Sequence, residues 1–309
     1  MPSWQYYGLL PAMHLTRLMT QVLATRSQRT WLRVTGMSTA LADSSTRLPK
    51  TITTRAASVA GVPGVWMQPE GAGGDEAIIY LHGSGMVTRL AGPLKVVGAR
   101  IAMSARRQLF AVDYRILPDT YPAAHDDCFN VLGELTATFA SIVLVGDSSG
   151  GVLALASMLR AKTAGLRQPR LCVLLSPTVD YGPGLDGIFS ARDPFLAPRW
   201  VARTHRAYIG NHDPALADLS PVAQDLSGLP PIHVIAGEHE LLRVEVDRLV
   251  AAATRSGTSI SVSYWPRMWH GWYVMADQLP EGRQALDDAG RIILGQPGAS
   301  NPATPPSLR

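Results

Sequence analysis

The sequence predicts an α/β fold built on a mostly parallel sheet with helices on both faces. Two observations predict it. Short apolar runs rich in β-branched residues alternate with longer stretches of helical spacing. Several of those runs, such as Ile142-Val143-Leu144-Val145 and Leu171-Cys172-Val173-Leu174-Leu175, are apolar throughout rather than at every second residue. A strand apolar on both sides belongs in a sheet covered on both sides, the usual setting of parallel strands. Strand–helix alternation supplies the crossovers that parallel pairing needs.

In chain order the pattern predicts eight strands, at 51–59, 65–67, 77–81, 109–112, 142–145, 171–175, 232–236 and 260–264. It predicts helices at 94–106, 124–140, 150–163, 243–256 and 281–294. No internal repeat and no linker divides the middle of the chain, so one large domain over 49–295 is expected. Two segments fall outside the alternation: 1–48, with an amphipathic helix or pair of helices over 9–23, and 182–210, with Phe189, Phe195, Trp200 and Tyr208. Both are expected to be helical flaps over the carboxyl ends of the strands, where ligands bind in such sheets. The stretch 296–309, rich in Pro, Ser, Ala and Asn, is expected to be a disordered tail.

The 309 residues, 46% hydrophobic, suffice for a sizeable core. A net charge of +4, from 28 basic and 24 acidic residues, is too small and too dispersed to indicate a nucleic-acid partner. The two cysteines are far apart: Cys172 lies in an apolar run and Cys128 follows Asp126-Asp127 at helical spacing. Neither suggests a disulfide framework or a metal site, and their reduced state fits a cytoplasmic setting. His14, Arg17 and Gln21 interrupt the apolar residues near the start, so neither a signal peptide nor an integral membrane span is expected. Trp4, Tyr6 and Tyr7 beside the amphipathic stretch leave membrane-surface contact open. A homodimer is compatible with the chain.

The chemistry centres on Ser148, in Gly146-Asp147-Ser148-Ser149-Gly150-Gly151 between a predicted strand and a predicted helix. A serine hydroxyl needs geometry and a base to become a nucleophile. A sharp strand-to-helix turn presents it, and small residues two positions either side let the backbone fold that tightly. Upstream, His82-Gly83-Ser84-Gly85 follows the run Ile78 to Leu81. Acyl transfer builds negative charge on a carbonyl oxygen. The backbone N–H groups of Gly83, Ser84, Gly85 and Ser149 are the candidate donors for it.

Eight histidines compete for the role of base. His14, His125, His205 and His212 read as surface residues, His82 as structural and His233 as a strand residue, while His239 immediately precedes a candidate acid. His270, in the loop Trp269-His270-Gly271-Trp272 after the last strand, fits best: imidazole titrates near neutrality and the glycine lets the chain turn. For the acid, Gly237-Glu238-His239-Glu240 follows the strand at 232–236, and spacing alone does not choose between Glu238 and Glu240. Glu245 and Asp247 read as solvated charges on the next helix. The order serine, acid, histidine is that of α/β-hydrolases rather than of chymotrypsin or subtilisin.

These residues, with Asp113-Tyr114-Arg115, Tyr121-Pro122-Ala123-Ala124, Asp126-Asp127, Leu175-Ser176-Pro177, Leu219-Ser220-Pro221 and Leu229-Pro230-Pro231, make the chain resemble the hormone-sensitive-lipase-like esterases. These belong to family 3 of the α/β-hydrolase fold and include acetyl-hydrolases. The resemblance spans about 50–295. It implies an eight-stranded, mostly parallel sheet with a helical cap formed by the N-terminal helices and the segment before the acid. The family places its acid three residues after the glycine matching Gly237, which implies Glu240. Three departures stand out: Ser84 replaces the second glycine of the usual His-Gly-Gly-Gly, Ser149 replaces a commoner alanine, and Glu240 a commoner aspartate.

The function this implies is a serine carboxylesterase acting on short to medium acyl esters through an acyl-Ser148 intermediate. His270 would be the base, Glu240 the orienting acid, and no metal or organic cofactor would be involved. The alternatives are a non-hydrolytic natural-product enzyme on the same scaffold (acyl transfer, cyclisation or elimination) and a catalytically silent ligand receptor. Trp269 and Trp272 beside the proposed base, with Phe195, Trp200 and Tyr208, point to an apolar small-molecule ester.

Overall fold

The computed structural model describes residues 2–181 and 192–296. Residues 182–191 of the predicted second flap, Phe189 among them, and residues 297–309 of the predicted tail lie outside the described residues.

Eight strands form a single sheet: β1 (Ile52–Val59), β2 (Val62–Pro69), β3 (Glu76–Leu81), β4 (Gln108–Val112), β5 (Ser141–Asp147), β6 (Leu171–Leu175), β7 (Ile232–Gly237) and β8 (Ile260–Trp265). Their order is β1-β2-β4-β3-β5-β6-β7-β8. The first two pairings, β1 with β2 and β2 with β4, are antiparallel, and the other five are parallel. Eight α-helices lie among the described residues: α1 (Trp4–Leu23), α2 (Gln28–Ser45), α3 (Gly92–Ala105), α4 (Ala123–Thr138), α5 (Ser149–Thr163), α6 (Pro198–Ile209), α7 (Arg243–Arg255) and α8 (Pro280–Ile293).

The period of two along a strand divides the core. On β3, Ile79 and Leu81 join one buried cluster with Val131 and Leu132 of α4, Val152 and Leu155 of α5 and Val246 and Leu249 of α7. Ile78 and Tyr80 join the other, with Val97 and Ile101 of α3 and Ala285 and Leu286 of α8. All four β3 side chains are fully buried, which is why the run is apolar without alternation. Burying each contributes roughly 1.5–3 kcal/mol relative to exposure. The edge strand β1 has solvent on one side, and its sequence Ile-Thr-Thr-Arg-Ala-Ala-Ser-Val is correspondingly polar.

The strand order reverses between β3 and β5. Crossovers leave these neighbours in opposite directions, opening a crevice at their carboxyl ends. Leu81 pairs with Gly146 there, so the His82–Gly85 turn and Ser148 emerge side by side.

Outside the sheet, α1 and α2 are each started by a serine, Ser3 and Ser27, whose side chain accepts a backbone N–H of the first turn. Ser3 Oγ also donates to Glu281 Oε2 at the start of α8 (2.8 Å). Arg203 of α6 lies over the Trp31 ring at 4.5 Å and donates to the carbonyls of Ala24 and Arg26 in the α1–α2 turn.

Three sequence-based expectations are corrected. His125 and His205 are buried, not surface residues: His125 sits between Tyr208 Oη and the Asp218 carbonyl, and His205 packs edge-on against Tyr181. Glu245 is not a solvated charge. It is fully buried and accepts the backbone N–H of Val179.

Candidate active site

The turn at Ser148 is set by what surrounds it. β5 ends at Asp147 and α5 begins at Ser149, so one residue makes the whole turn, and Ser148 holds φ 50°. A non-glycine residue there costs of order 1–3 kcal/mol and persists only when its surroundings enforce it. They do: Ser148 N–H donates to the Leu175 carbonyl, and its own carbonyl accepts from Gly151 and Thr178. The flanking glycines are required by close approach. A Cβ at Gly150 would lie 2.0 Å from the Leu81 carbonyl oxygen, and one at Gly146 would lie 2.6 Å from that of Gly150.

His270 follows β8, just before Gly271 at φ 70°. Its Nε2 lies 3.0 Å from Ser148 Oγ, so the structure brings together two side chains 122 residues apart. The ring is almost entirely buried. Burial lowers its pKa from 6.5 to about 4, opposed by the negative charge of Asp193. The imidazole is therefore neutral at neutral pH and able to accept a proton.

The two candidate acids are separated by burial. Glu238 is exposed, whereas Glu240 is buried. Glu240 Oε2 accepts from Ser176 Oγ (2.5 Å) and from the backbone N–H of Gly237 (3.2 Å). Its Oε1 and the Nδ1 of His270 are both buried without a hydrogen-bond partner. A buried polar atom left unpaired is costly, and these two are complementary, an acceptor and a ring nitrogen able to donate. Burial pushes Glu240 up to about 8, against the hydrogen bonds from Ser176 and Gly237, which favour the ionised form.

The four proposed oxyanion donors do not stand alike. Gly83 N–H donates to Asp147 Oδ2 at 3.2 Å, and Gly85 N–H donates to Ser149 Oγ at 3.1 Å. Both hold the turn's shape. Ser149 opens α5, where the first N–H groups have no helical acceptor. The hydroxyl of Ser84 is turned into its own loop, donating to the Thr88 carbonyl and accepting from Thr88 N–H. Asp147 itself is buried and also accepts from Tyr80 Oη and Tyr273 Oη. Burial pushes it up to about 6 in spite of those bonds. His82 is structural: its ring stacks on Tyr114 at 4.3 Å, and Tyr114 Oη donates to the His82 carbonyl.

Sequence reasoning missed Asp193. This fully buried carboxylate takes four backbone N–H groups: Phe195 and Leu196 on Oδ1, Leu241 and His270 on Oδ2. It ties the loop after Glu240 to the loop of His270. The only local signal was an Asp two and three residues before the N–H groups it accepts, a common Asx-turn pattern. Its two decisive partners are far away in sequence.

A cavity of about 1000 Å³ opens above Ser148. Trp269, Phe195 and Trp200 line it as expected, with Met13, Leu18 and Val34 from the N-terminal helices. Trp272 and Tyr208 do not line it and are buried in the core.

Comparison with known proteins fits this fold. A family model described as alpha/beta hydrolase fold matches residues 78–274. Mycobacterium tuberculosis LipR is 32% identical over 254 residues, covering 81% of this chain and 82% of LipR. An acetyl-hydrolase of Streptomyces hygroscopicus is 30% identical over 236 residues, covering 74% of this chain and 78% of that protein. Among solved structures, an esterase from the bacterial hormone-sensitive lipase family superposes with a TM-score of 0.80 at 29% identity, covering 93% of this chain and 98% of the other. A hormone-sensitive-lipase homologue from a metagenome library gives 0.82 at 26% identity, covering 96% and 99%. The protein is thus an enzyme of the carboxylic ester hydrolase class. The chain belongs to the hormone-sensitive-lipase-like esterases of the α/β-hydrolase fold.

Proposed function

We propose that the chain hydrolyses short to medium acyl esters of apolar small molecules through an acyl-Ser148 intermediate. The observation that carries this reading is the 3.0 Å approach of His270 Nε2 to Ser148 Oγ on a strained turn at the crevice. His270 removes the hydroxyl proton as Oγ attacks the ester carbonyl, and the C–O π pair moves onto oxygen. The oxyanion collapses, the C–OR bond breaks, and His270 returns the proton to the leaving alcohol. Water then attacks the acyl-serine with the same proton relay and releases the acid.

Glu240 orients the ring and stabilises the imidazolium that forms. Glu240 does this as the carboxylate, the form its bonds from Ser176 and Gly237 favour, and the buried, neutral His270 gains basicity as negative charge develops on the oxyanion. The N–H groups of Ser84 and Ser149 are the proposed oxyanion donors, each worth about 2.7–4 kcal/mol in the transition state. α1, α2 and α6 act as the cap. The apolar lining supports an uncharged ester, and the acetyl-hydrolase name of one relative supports a small acyl group. The Ser84 hydroxyl is held by Thr88, so it supplies no extra group for acyl transfer, cyclisation or elimination.

The test is an acyl-chain-length series of chromogenic esters with wild type and Ser148→Ala. Turnover of the shorter esters should vanish in the variant while its far-ultraviolet circular dichroism stays unchanged. Retained turnover in Ser148→Ala would overturn the proposal.

A further inference from the structure

The outer face of α1, α2 and α6 has two properties that a water-facing surface rarely combines. It is apolar: of the eleven large hydrophobic side chains exposed among the described residues, nine are on α1 and α2. Leu41 is 72% exposed and Met37 64%. Monomeric soluble proteins seldom expose apolar patches without a partner for them. It is also strongly cationic, its one acid, Asp43 near the end of α2, being paired with Lys95. Residues 2–42 contain Arg17, Arg26, Arg29 and Arg33 and no Asp or Glu. Residues 194–212 add Arg199, Arg203 and Arg206, again with no acid. These seven are a quarter of the 28 basic residues, against one of the 24 acidic ones, so the rest of the chain is net negative.

The arginines of α6 meet the helices that carry the apolar residues at one place. Arg199, Arg203 and Arg206 line a groove of about 610 Å³ together with Gln28 and Trp31, against the α1–α2 turn. The indole Nε1 of Trp31 is buried there without a hydrogen-bond partner. Leu18, Met19, Val22 and Val34 belong both to the exposed apolar set and to the lining of the cavity above Ser148. The cavity therefore opens onto this face.

We infer that this face docks on an anionic lipid layer and that lipophilic esters enter the Ser148 cavity directly from it. Apolar side chains set among arginines match an acyl-chain boundary beneath phosphate headgroups. Nucleic acid would match the charge but not the apolar residues. A second copy of this chain would match the apolar residues but would bring seven arginines on each side together. The attachment is peripheral, because no helix among the described residues is long and apolar enough to cross a membrane. Docking stands independently of the proposed nucleophile, whereas entry of the ester from the layer rests on the esterase reading.

The test is co-sedimentation of the full chain with vesicles of phosphatidylglycerol and phosphatidylcholine, or of phosphatidylcholine alone. Binding is expected to the anionic vesicles and to weaken with added salt. Arg29→Gln combined with Arg33→Gln should weaken it roughly 30-fold. Leu15→Ser with Met37→Ser and Leu41→Ser should abolish it. None of these residues lines the cavity, so turnover of a water-soluble ester should be unchanged in both variants, which also reports that they fold. Ser148→Ala should bind vesicles as wild type does. Equal binding to both vesicle types, undiminished binding by the arginine variant, or a dimer in solution that the serine variants dissociate would each overturn the inference. Failure of the esterase reading would show instead as soluble-ester turnover that survives Ser148→Ala.

Discussion

Asp193 Oδ2 accepts the backbone N–H of His270 at 3.0 Å. The same oxygen accepts the N–H of Leu241, the residue after Glu240, at 2.9 Å. One buried carboxylate thus sets the distance between the loop of the proposed base and the loop of the proposed acid. It comes from neither loop but from the segment leading into α6.

Replacing Asp193 with alanine would strand four backbone N–H groups. An unsatisfied buried donor costs about 1–3 kcal/mol. Asp193→Ala should lower stability by roughly 3–5 kcal/mol in urea denaturation. Ester turnover should fall even well below the unfolding midpoint, because the His270 loop is no longer held.

The pH dependence has a worked sign. Burial holds His270 at about 4 in the folded chain. Above that value the ring is neutral and accepts the Ser148 proton; below it the ring is already protonated. In Glu240→Gln, where only the ring titrates, the acidic limb of kcat/KM should therefore fall well below the ordinary histidine value of about 6.5, whereas in wild type activity declines first as Glu240, held at about 8, takes up its proton. Asp193 raises the His270 value by its charge. Asp193→Asn should move the limb to lower pH, and a pH–rate profile reads the shift. Stability has the same direction: the unfolded ring takes up its proton first, so the contribution of His270 is lost as pH falls from about 6.5.

Glu240 and Glu238 separate cleanly by mutation. Glu240→Gln keeps the shape but removes the charge that would stabilise the imidazolium, so kcat should drop about 10²–10⁴-fold with little change in KM. Glu238→Gln, on an exposed residue, should leave both constants unchanged. Equal losses in the two variants would contradict the assignment of Glu240.

Ser149→Ala tests the oxyanion turn. It removes the oxygen that accepts Gly85 N–H at 3.1 Å, releasing that donor toward the substrate. Turnover of a short-chain ester should stay within roughly threefold of wild type, because one donor restraint is exchanged for one more donor. A loss beyond tenfold would mean that the clasp itself shapes the site.

Much of this architecture is legible in the sequence because local rules and burial agree. β3, β5, β6 and β7 are central strands covered on both faces, so their apolar runs announce them. The Ser148 turn is legible because its glycines are demanded by contacts within 2.6 Å. What stays hidden is set by distant partners. Nothing local marks Glu245 as the acceptor for Val179, 66 residues away, or Asp193 as the tie between two loops. His125 and His205 look like solvent-facing polar residues until Tyr208 and Tyr181 are seen to cover them. The oxyanion donors could not be sorted either. Gly83 and Gly85 spend their N–H groups on Asp147 and Ser149, both 64 residues downstream.

The link from Ser3 to Glu281 joins residues separated by 278 positions. On the ribosome, α1 emerges long before its anchor on α8 exists. Arg17, which donates to the Asp193 carbonyl, and the α1–α2 turn, which receives Arg203, likewise wait for chain not yet made. The roof of the cavity is made before the sheet beneath it and fastened only once α8 exists, so from the synthesis of Ser148 to that of Glu281 a nascent chain carries its nucleophile without an enclosed pocket around it.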